Sequence, residues 1–549
     1  MIISSFFCFI ILLSLFGYSF LYKKIINKNI KFKIYNSEVF YGILLITLIS
    51  LFINFFFPLK FFTLPIVIIG LLIFLFSFKN KVFQIKFSYY FYIIFLINFF
   101  IYYNGPNIDS PLYHLQTLNW MILNKINLGI TNLNIRFGVN SSWHSFIALM
   151  NVSFTNISLK YYLSSIIFAI LSYEIFFKKK FETEDIFLFL SVSFTLTFAL
   201  IHPFVNGPIL NHMGNPEVDT VAMFLFIFSF YYFIKLYDNN FTDLTSSLNI
   251  FVVIIFLAVT TKLSNISLIF LLLIIIYLNK NYKIINISNI LVGVTSLFWL
   301  FRSFLISGCF IFPIKKTCIE TPWSNLADTE FIAKVIQSYT RDTRLRAKWT
   351  DFDHTLNSYD WFIPWFNDYF LNTSLLKISA TLSILSSLLL IIVFLNRILK
   401  KKNNKKIKRN YFIPVLTFFL ISIYIWHKAP EIRFGSGLII SLPCFLLALI
   451  ISKFKLKEYF THYKTLTTII ILFIFLGLKH FKNFDFKHLI LINKGNSKYE
   501  YIEKIAEIDG IEIFQSLHSK CGDFPKICVN KKRENYKITS EFGYRIFLN

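Results

Sequence analysis

Acidic side chains and recognisable cofactor motifs are scarce in this sequence. Only 29 of its 549 residues are Asp or Glu, and 15% of all residues are charged. No G-x-x-x-x-G-K-[ST] stretch occurs, which excludes a nucleotide-binding phosphate loop of that type. The six cysteines show no C-x-x-C or C-x-x-H spacing, which excludes the common zinc frameworks. Any chemistry of this chain must therefore come from scattered polar residues.

Apolar residues dominate the chain instead. It is 56% hydrophobic, with a mean hydropathy of +0.61. Apolar stretches of about 16–22 residues recur along it, and this length crosses a hydrocarbon core of about 30 Å. We therefore predict an all-α polytopic membrane protein with about fourteen transmembrane helices. The predicted spans are 4–22, 39–57, 62–78, 87–103, 159–177, 186–204, 218–236, 246–260, 264–279, 285–303, 376–398, 411–427, 436–452 and 464–478.

The net charge of +26 is concentrated in short loops between these apolar stretches. Examples are "KKIINKNIKFK" at 23–33, "KKK" at 178–180 and "KKKNNKKIKR" at 400–409. Short lysine-rich loops are typical of the cytoplasmic side of membrane proteins. A nucleic-acid groove would instead interleave basic and aromatic residues on one folded surface. We therefore place these loops inside the cell and expect no nucleic-acid partner.

This orientation places the long polar segments on the extracytoplasmic side. They are the loops 104–158 and 304–375 and a C-terminal tail that we predict to be a small α/β appendage. The apolar stretch 142–157 is predicted as a helix on the membrane surface, because a span there would move the basic loop after residue 177 outside. The predicted domains are an N-terminal transmembrane module at 1–86, a transmembrane core at 87–478 and the extracytoplasmic tail at 479–549.

Four of the six cysteines fall in these outer segments, where disulfides can persist. The four disulfide candidates are Cys309 and Cys318 in the long loop and Cys521 and Cys528 in the tail. We favour one local pair in each segment, although the sequence alone leaves the connectivity open. Cys8 and Cys444 lie in apolar spans and are predicted to be small packing residues.

The first outer loop carries the polar stretch "NGPNIDSPLYHLQTLNW" at 104–120. Asp109 precedes a segment whose leucines recur at helical spacing, which predicts an amphipathic helix at the membrane interface. One interpretation makes Asp109 the N-cap of that helix, with Pro111 in the first turn. The other makes Asp109 a functional carboxylate. The position of Asp109 alone does not separate the two.

Further charged residues lie in other predicted outer loops. "NHMGNPEVDT" places Glu217 and Asp219 at the entrance of a span, where an acid is costly unless it is used or paired. Lys262 lies in "TTKLSN", Arg302 at the outer end of a span, and Arg433 in "HKAPEIRFGSG". Each cation alone is explained by a side chain that snorkels from a helix end. Together, the cationic and acidic loops indicate a site for an anionic head group, with a carboxylate nearby to accept a proton.

These segments resemble the C-type (GT-C fold) superfamily of polyprenyl-phosphate-dependent glycosyltransferases. "DSPLYHLQTLNW" with "RFGVNSSWHS" is similar to a bacterial branch of multi-pass membrane proteins with an Asp–x–x–x–Tyr–His start. "RSFLISGCFIFP" and "APEIRFGSG" look like later motifs of that branch, and the resemblance covers about residues 85–450. It implies a bacterial inner-membrane enzyme that transfers a sugar, with inversion, from a polyprenyl-phosphate donor. The implied acceptor is an extracytoplasmic glycan, lipid or protein.

The resemblance also implies roles for the charged residues. Asp109 would be the catalytic carboxylate, and His114 would orient it or contact the donor. The second acidic element, which binds the acceptor or a cation, would be Glu217 and Asp219. The groups that would hold the lipid phosphate are Lys262, Arg302 and Arg433.

Two departures from the superfamily bear on these expectations. The paired acid Asp-Glu of the mannosyltransferases reads Asp-Ser here at 109–110, so a divalent cation stays open and no other cofactor is implied. Four predicted spans precede Asp109, where the superfamily usually has one. The first three spans therefore look like an added N-terminal module.

Other functions remain open at this point. A transporter or flippase of lipid-linked saccharides would need polar residues in mid-span and on both faces, and few are seen. A polysaccharide polymerase or ligase would share the large outer loop but use a diphosphate-linked donor. The long loop carries "WTDFDHTLNSYDWFIPWF" at 349–366, which suits either stacking on sugar faces or an aromatic belt at the interface.

Overall fold

A computed structural model describes most of the membrane-embedded part of the chain and the strands of the tail. The described residues are 2–26, 33–80, 82–104, 109–154, 157–178, 180–201, 214, 216, 218–238, 244–279, 286–342, 351–399, 412–454, 456, 467–469, 471–472, 502–508, 511–516, 521, 524, 526–529, 537–541 and 544–548. Helices make up most of this part, so the predicted helical architecture is confirmed.

The apolar stretches of the sequence form the helices. Their bounds are α1 Ile2–Ile26, α2 Val39–Phe56, α3 Thr63–Lys79, α4 Phe87–Asn104, α5 Leu115–Leu123, α6 Ser142–Met150, α7 Ser164–Phe176, α8 Thr183–Ile201, α9 Asp219–Asp238, α10 Leu244–Thr261, α11 Leu268–Leu278, α12 Ile287–Ser307, α13 Leu326–Arg341, α14 Ser374–Leu399, α15 Phe412–Lys428 and α16 Ile432–Lys453. A single turn at Phe362–Pro364 and short π-helical turns lie between α13 and α14.

Six of the described helices are long and apolar enough to cross a membrane. They are Ile2–Ile26, Asn36–Phe56, Asp219–Tyr237, Ile287–Ser307, Ser374–Ile392 and Ile432–Lys453. Several further apolar helices are shorter than a full span. All but the last of the predicted spans overlap a helix, and most of 464–478 lies outside the described residues. The chain is thus a membrane protein by helix length and composition, while a count of fourteen spans stays a prediction.

Local sequence signals set the ends of these helices. The Asn286 side chain accepts a hydrogen bond from the Asn289 N–H and so caps α12. The same helix ends at Gly308, whose φ of 77° is in the left-handed region that glycine adopts without strain. These two signals place Arg302 in the last two turns of α12.

The loops on the lysine-rich side contact one another at one end of the helices. The Ile34 N–H donates to the Val82 carbonyl at 3.0 Å, which joins the α1–α2 loop to the α3–α4 loop. The hydroxyls of Thr183 and Ser452 lie 3.1 Å apart, which places the start of α8 beside the end of α16. Asp219 at the start of α9, Lys262 after α10 and Arg433 at the start of α16 therefore belong to the opposite end.

The first three helices pack into the same apolar core as the later ones. A methyl group on Gly17 would come within 2.0 Å of the Gly70 carbonyl oxygen, so glycine permits the close approach of α1 to α3. Farther along, α2 packs against α6, α10 and α12. The first three helices thus share contacts with the later ones, and the division into a module at 1–86 and a core at 87–478 stays a prediction.

The two helices of the first outer loop lie inside the protein and not on a membrane surface as predicted. Every residue of α6 is buried. The Ser50 hydroxyl donates to the Ser145 carbonyl at 2.6 Å, and the Thr260 hydroxyl donates to the Ser142 hydroxyl at 2.8 Å. Most of α5 is also buried. The prediction of a helix on the membrane surface was wrong for α6, because α2 and α10 pack against it. They cover the side of α6 that its amphipathic pattern alone would assign to lipid.

Small sheets form the described part of the tail. The strands of the tail are β3 Ile502–Ile508, β4 Ile511–Ser516, β5 Ile527–Val529, β6 Lys537–Glu541 and β7 Tyr544–Leu548. The other two strands, β1 Ser153–Phe154 and β2 Ile157–Ser158, form a separate pair between α6 and α7. β4 pairs antiparallel with β3 and parallel with β5, and β6 pairs antiparallel with β7. The described residues of the tail form strands and no helix, so the helical part of the predicted α/β appendage is not seen there.

The cysteines join locally. Disulfides link Cys309 to Cys318 and Cys521 to Cys528. Cys8 and Cys444 are buried and free, as expected for packing residues in helices. Both disulfides therefore close short loops within one segment.

Candidate functional site

Helix ends bring four sequence-predicted residues to one place. Asp109 immediately precedes the π-helical turn Ser110–His114 that leads into α5. Asp219 opens α9, Lys262 follows the last residue of α10, and Arg433 is the second residue of α16. We call Asp109, Asp219, Lys262, Glu431 and Arg433 the charged cluster.

The members of the charged cluster form two sets of ion pairs that one hydrogen bond to the backbone connects. The Arg433 guanidinium pairs with the Asp109 carboxylate, and its Nε lies 3.0 Å from Glu431 Oε1. The Lys262 ammonium pairs with the Asp219 carboxylate and also donates to the Arg433 carbonyl at 2.9 Å. These side chains are largely buried, and charges at such a depth are tolerated only when they are paired.

Asp109 does not behave as a helix cap. Its side chain makes no capping hydrogen bond, and its carboxylate faces Arg433 instead. The cap interpretation of the sequence is therefore not supported by the hydrogen bonding. Asp109 and Arg433 are 324 residues apart in the chain, so this contact is a product of the tertiary fold.

An aromatic ring lies beneath both cations. The Lys262 Nζ is 4.3 Å and the Arg433 Cζ is 5.4 Å from the centroid of the Phe434 ring. A ring face attracts cations and excludes water without neutralising them. Burial lowers the pKa of Lys262 from its usual value, and the carboxylate of Asp219 opposes that shift.

A narrow cleft opens beside the charged cluster. Asp219, Lys262 and Arg433 line it together with hydroxyl and amide groups. The polar groups are those of Ser264, Asn265, Ser267, Ser422, Trp426 and Ser436. Asn265, Ser422 and Trp426 already donate to carbonyl oxygens of the protein. The charged side chains and the hydroxyls of the other serines are therefore the groups that can meet a polar ligand with a negative group.

Two histidines stand beside this cluster. His114 Nδ1 and His144 Nε2 are 3.1 Å apart, and His144 Nε2 is also 3.1 Å from the Pro216 carbonyl oxygen. That carbonyl can only accept, so the geometry favours the proton on Nε2 of His144. Burial, with the nearby His114, holds the pKa of His144 well below its ordinary value, so the ring is neutral at pH 7. The pair ties α6 to the turn that carries Asp109.

The segment between α13 and α14 braces the residues that lead to Arg433. The Trp365 Nε1–H donates to the Pro430 carbonyl at 3.1 Å, and the Tyr369 hydroxyl accepts from the Ile432 N–H at 3.2 Å. Trp361 and Trp365 are buried, so these two indole rings serve packing and are not free to stack on a sugar.

Arg302 is the predicted site residue that the fold separates from the others. Its guanidinium donates to the Asn140 side chain at 2.6 Å, and it lines a different cavity beside α2 and α5. The sequence placed Arg302 with Lys262 and Arg433, but the cleft is lined by Lys262 and Arg433 without it. Glu217 lies outside the described residues.

Two residues of this region were not assigned a role from the sequence. Glu431 sits in the same short motif as Arg433, and its proximity in the chain was an available signal. His144 is a polar residue within the apolar stretch 142–157, which was the only signal for it. The sequence positions of Glu431 and His144 do not show which residues their side chains contact.

The described residues do not favour a bound metal ion. They contain no group of three or more His, Cys, Asp or Glu side chains that could hold one. Asp109 and Asp219 each face a cation, which occupies the oxygens that a divalent ion would need. The donor set seen here therefore does not fit a divalent cation.

Helices of membrane-spanning length, with a buried charged cluster at their ends, define a polytopic helical membrane protein. The chain belongs to the family described as a domain of unknown function (DUF8201), which matches residues 1–440. This match includes the first three helices and every member of the charged cluster, and it ends before the strands of the tail. No curated protein and no solved structure matches the chain.

Proposed function

We propose that the protein is a bacterial inner-membrane glycosyltransferase with a GT-C-like core and about fourteen spans. It transfers a sugar from a polyprenyl-phosphate donor to an acceptor on the extracytoplasmic face. The observation that carries the proposal is a polar cleft lined by Asp219, Lys262 and Arg433. Lys262 pairs there with Asp219, and Arg433 pairs with Asp109, which lies next to the cleft and not in its lining. The resemblance of the motifs that contain Asp109 and Arg433 to that superfamily supports the same conclusion.

The chemistry needs few groups, because the phosphate of the donor is already a good leaving group. The acceptor oxygen attacks the anomeric carbon of the sugar, and the bond from that carbon to the phosphate oxygen breaks. The acceptor proton passes to the Asp109 carboxylate, and polyprenyl phosphate leaves with the electron pair of the broken bond. Lys262 and Arg433 stabilise the negative charge that develops on the phosphate.

The ion pairs suggest how binding and base activation are linked. In the structure Arg433 is held by Asp109 and lies close to Glu431. A donor phosphate that approaches Arg433 competes with Asp109 for the guanidinium. Asp109 is then released toward the acceptor hydroxyl, where its carboxylate can accept the proton.

The substitution Asp109→Asn tests the catalytic role. The amide preserves shape and hydrogen bonding but cannot accept the proton, so transfer should fall by roughly two orders of magnitude or more. The assay is release of polyprenyl phosphate by the purified protein from a panel of polyprenyl-phosphate sugars. Asp353→Asn is the control, because Asp353 is an exposed acid outside the cleft and the charge change is the same. A folded Asp109→Asn protein with wild-type transfer would refute the role.

The same assay separates the other classes of function. A transporter or flippase of lipid-linked saccharides would move the intact donor across vesicles and release no polyprenyl phosphate. A polymerase or ligase would act on diphosphate-linked donors and leave the monophosphate panel unused. The transferase is the preferred conclusion because the charged cluster lies at helix ends, where an acceptor from one side can reach it.

A further inference from the structure

A second cavity, partly open to its surroundings, lies where the ends of α2, α5 and α12 meet. Its lining shares no residue with the lining of the charged-cluster cleft. Arg302 and Lys125 are the two charged side chains that line it, and the described residues around it include no carboxylate. The cavity is therefore cationic, whereas the charges of the cleft are paired.

Two buried donors in this lining lack acceptors. Arg302 is 6% exposed and Trp120 is 4% exposed. One guanidinium nitrogen of Arg302 donates to Asn140, but the Arg302 Nε–H has no hydrogen-bond partner. The indole Nε1–H of Trp120 has none either. Unsatisfied buried donors are uncommon in folded proteins, and a missing acceptor is a usual explanation.

The other polar groups of the lining are already engaged. The Asn54 amide donates to the carbonyls of Met121 and Asn124 at 3.2 and 3.1 Å. The Thr117 hydroxyl donates to the Tyr113 carbonyl at 2.9 Å. What the cavity offers to a ligand is thus two positive charges and N–H donors, which is the complement of an oxyanion.

The cavity lies at the end of an apolar face. Phe52 and Phe56 on α2 and Leu297 and Phe301 on α12 are exposed. Both helices are long enough to cross a membrane, so these side chains face lipid chains. Phe55 of α2 contacts the Phe301 ring with centroids 5.5 Å apart, so the two helices form one continuous apolar surface up to the cavity.

We propose that this cavity binds the phosphate group of an anionic amphiphile, with its hydrocarbon chain along α2 and α12. Arg302 and Lys125 pair with the phosphate, and the Trp120 indole N–H donates to one of its oxygens. The site is separate from the cleft of the charged cluster, and it does not depend on sugar transfer being the function.

Tryptophan fluorescence tests whether the bound phosphate group belongs to a lipid. Full-length protein in nanodiscs is titrated with phosphatidylglycerol or phosphatidylcholine brominated high on the acyl chain. The contribution of Trp120 is the difference between wild type and Trp120→Phe. We expect the Trp120 signal to be half-quenched at about tenfold less phosphatidylglycerol than phosphatidylcholine. Both lipids carry a phosphate, but the choline cation of phosphatidylcholine neutralises the head group and is repelled by Arg302 and Lys125.

Variants that remove a charge from the cavity test whether the cavity causes the preference for the anionic lipid. Arg302→Gln and Lys125→Gln should each remove most of the preference for the anionic lipid. Lys316→Gln is the matched control, because it makes the same charge change at an exposed lysine outside the cavity and should leave the preference intact. Lys125 is only half-buried, so its variant carries the test if Arg302→Gln fails to fold.

Titration with inorganic phosphate tests the alternative that the bound phosphate is a soluble ion. The protein in a neutral detergent is titrated with phosphate, with the same Trp120 signal. A response that needs Arg302, without a preference among lipids, would support an oxyanion site whose occupant is soluble. Equal behaviour of wild type and both variants toward lipid and phosphate would overturn the proposal.

Discussion

At the scale of single residues, burial turns ordinary charged side chains into groups with altered proton affinity. Lys262 and His144 are the clearest cases outside the spans. Burial lowers the pKa of both, and Asp219 opposes the shift for Lys262 alone. Each therefore gives a pH dependence with a defined sign.

The rate of transfer should fall at high pH as Lys262 loses its proton, and we call this fall the alkaline limb of the pH profile. The substitution Asp219→Asn should move the alkaline limb to lower pH. The carboxylate of Asp219 favours the charged form of Lys262, so its loss lets burial lower the pKa of Lys262 further. The shift toward lower pH is measured as rate against pH for release of polyprenyl phosphate. The control Asp353→Asn should leave the limb in place. An unchanged limb in Asp219→Asn would show that protonated Lys262 is not required.

His144 should make the protein less stable in mild acid. The unfolded ring takes up a proton near pH 6.5, whereas the folded ring does not until far lower pH. The free energy of unfolding therefore falls as the pH drops below that value, by up to ~1.4 kcal/mol per pH unit. Thermal unfolding in detergent at pH 7.5 and 5.5 measures this, and His144→Gln should flatten the dependence. His354→Gln is the control, and a slope that survives in His144→Gln would contradict the assignment.

At the scale of elements, the tail is fastened to the helix that follows Asp109. The Leu128 N–H donates to the Arg545 carbonyl, and the Phe547 N–H donates to the Leu128 carbonyl, both at 2.9 Å. The Gln116 side chain donates to the Phe524 carbonyl and accepts from the Cys528 N–H, each at 3.2 Å. The loop closed by the Cys521–Cys528 disulfide thus supplies two of the contacts that hold the sheet on α5.

Loss of that disulfide should loosen the tail. The double variant Cys521→Ser/Cys528→Ser removes a short covalent loop that stabilises its segment by about 2 kcal/mol. We expect trypsin to cut the tail about tenfold faster, followed by gel electrophoresis and mass spectrometry. Cys309→Ser/Cys318→Ser is the control, because that disulfide lies in another segment. Equal cleavage of the tail in both variants would mean that the disulfide does not hold the sheet.

At the scale of the whole molecule, charge is divided between the two ends of the helices. Described residues that flank four of the lysine-rich loops lie at one end, and the charged cluster with its cleft lies at the other. Because short basic loops stay in the cytoplasm, the charged cluster should face the extracytoplasmic side. The tail, which rests on α5, should lie on that side as well.

Reporter fusions test this orientation. A reporter placed after Lys406 should score cytoplasmic, and one placed after Asn549 should score extracytoplasmic. A paired alkaline phosphatase and green fluorescent protein fusion at each position gives opposite signals for the two sides. A cytoplasmic signal at Asn549 would mean that the spans are miscounted, and it would place the charged cluster on the wrong side for an extracytoplasmic acceptor.

Local composition determined a large part of this protein. Apolar runs longer than a bilayer core form helices wherever backbone polar groups must be satisfied internally, so the helix positions follow from hydropathy. The predicted span 285–303 falls within α12, which continues to Ser307 before Gly308. The charged residues were expected at helix ends because charges in mid-span are costly. The lysine bias of the loops predicts which end of the helices faces the cytoplasm.

Only the tertiary structure decided which of these residues meet. Hydropathy states that a side chain is buried but not against which helix. It could therefore not reveal that Asp109 pairs with Arg433, or that Arg302 lines a cavity of its own. The same limit hid the burial of α6, whose polar and apolar sides are both covered by neighbouring helices. Pairing is a property of helix packing over hundreds of residues of separation, and a local pattern carries no information about it.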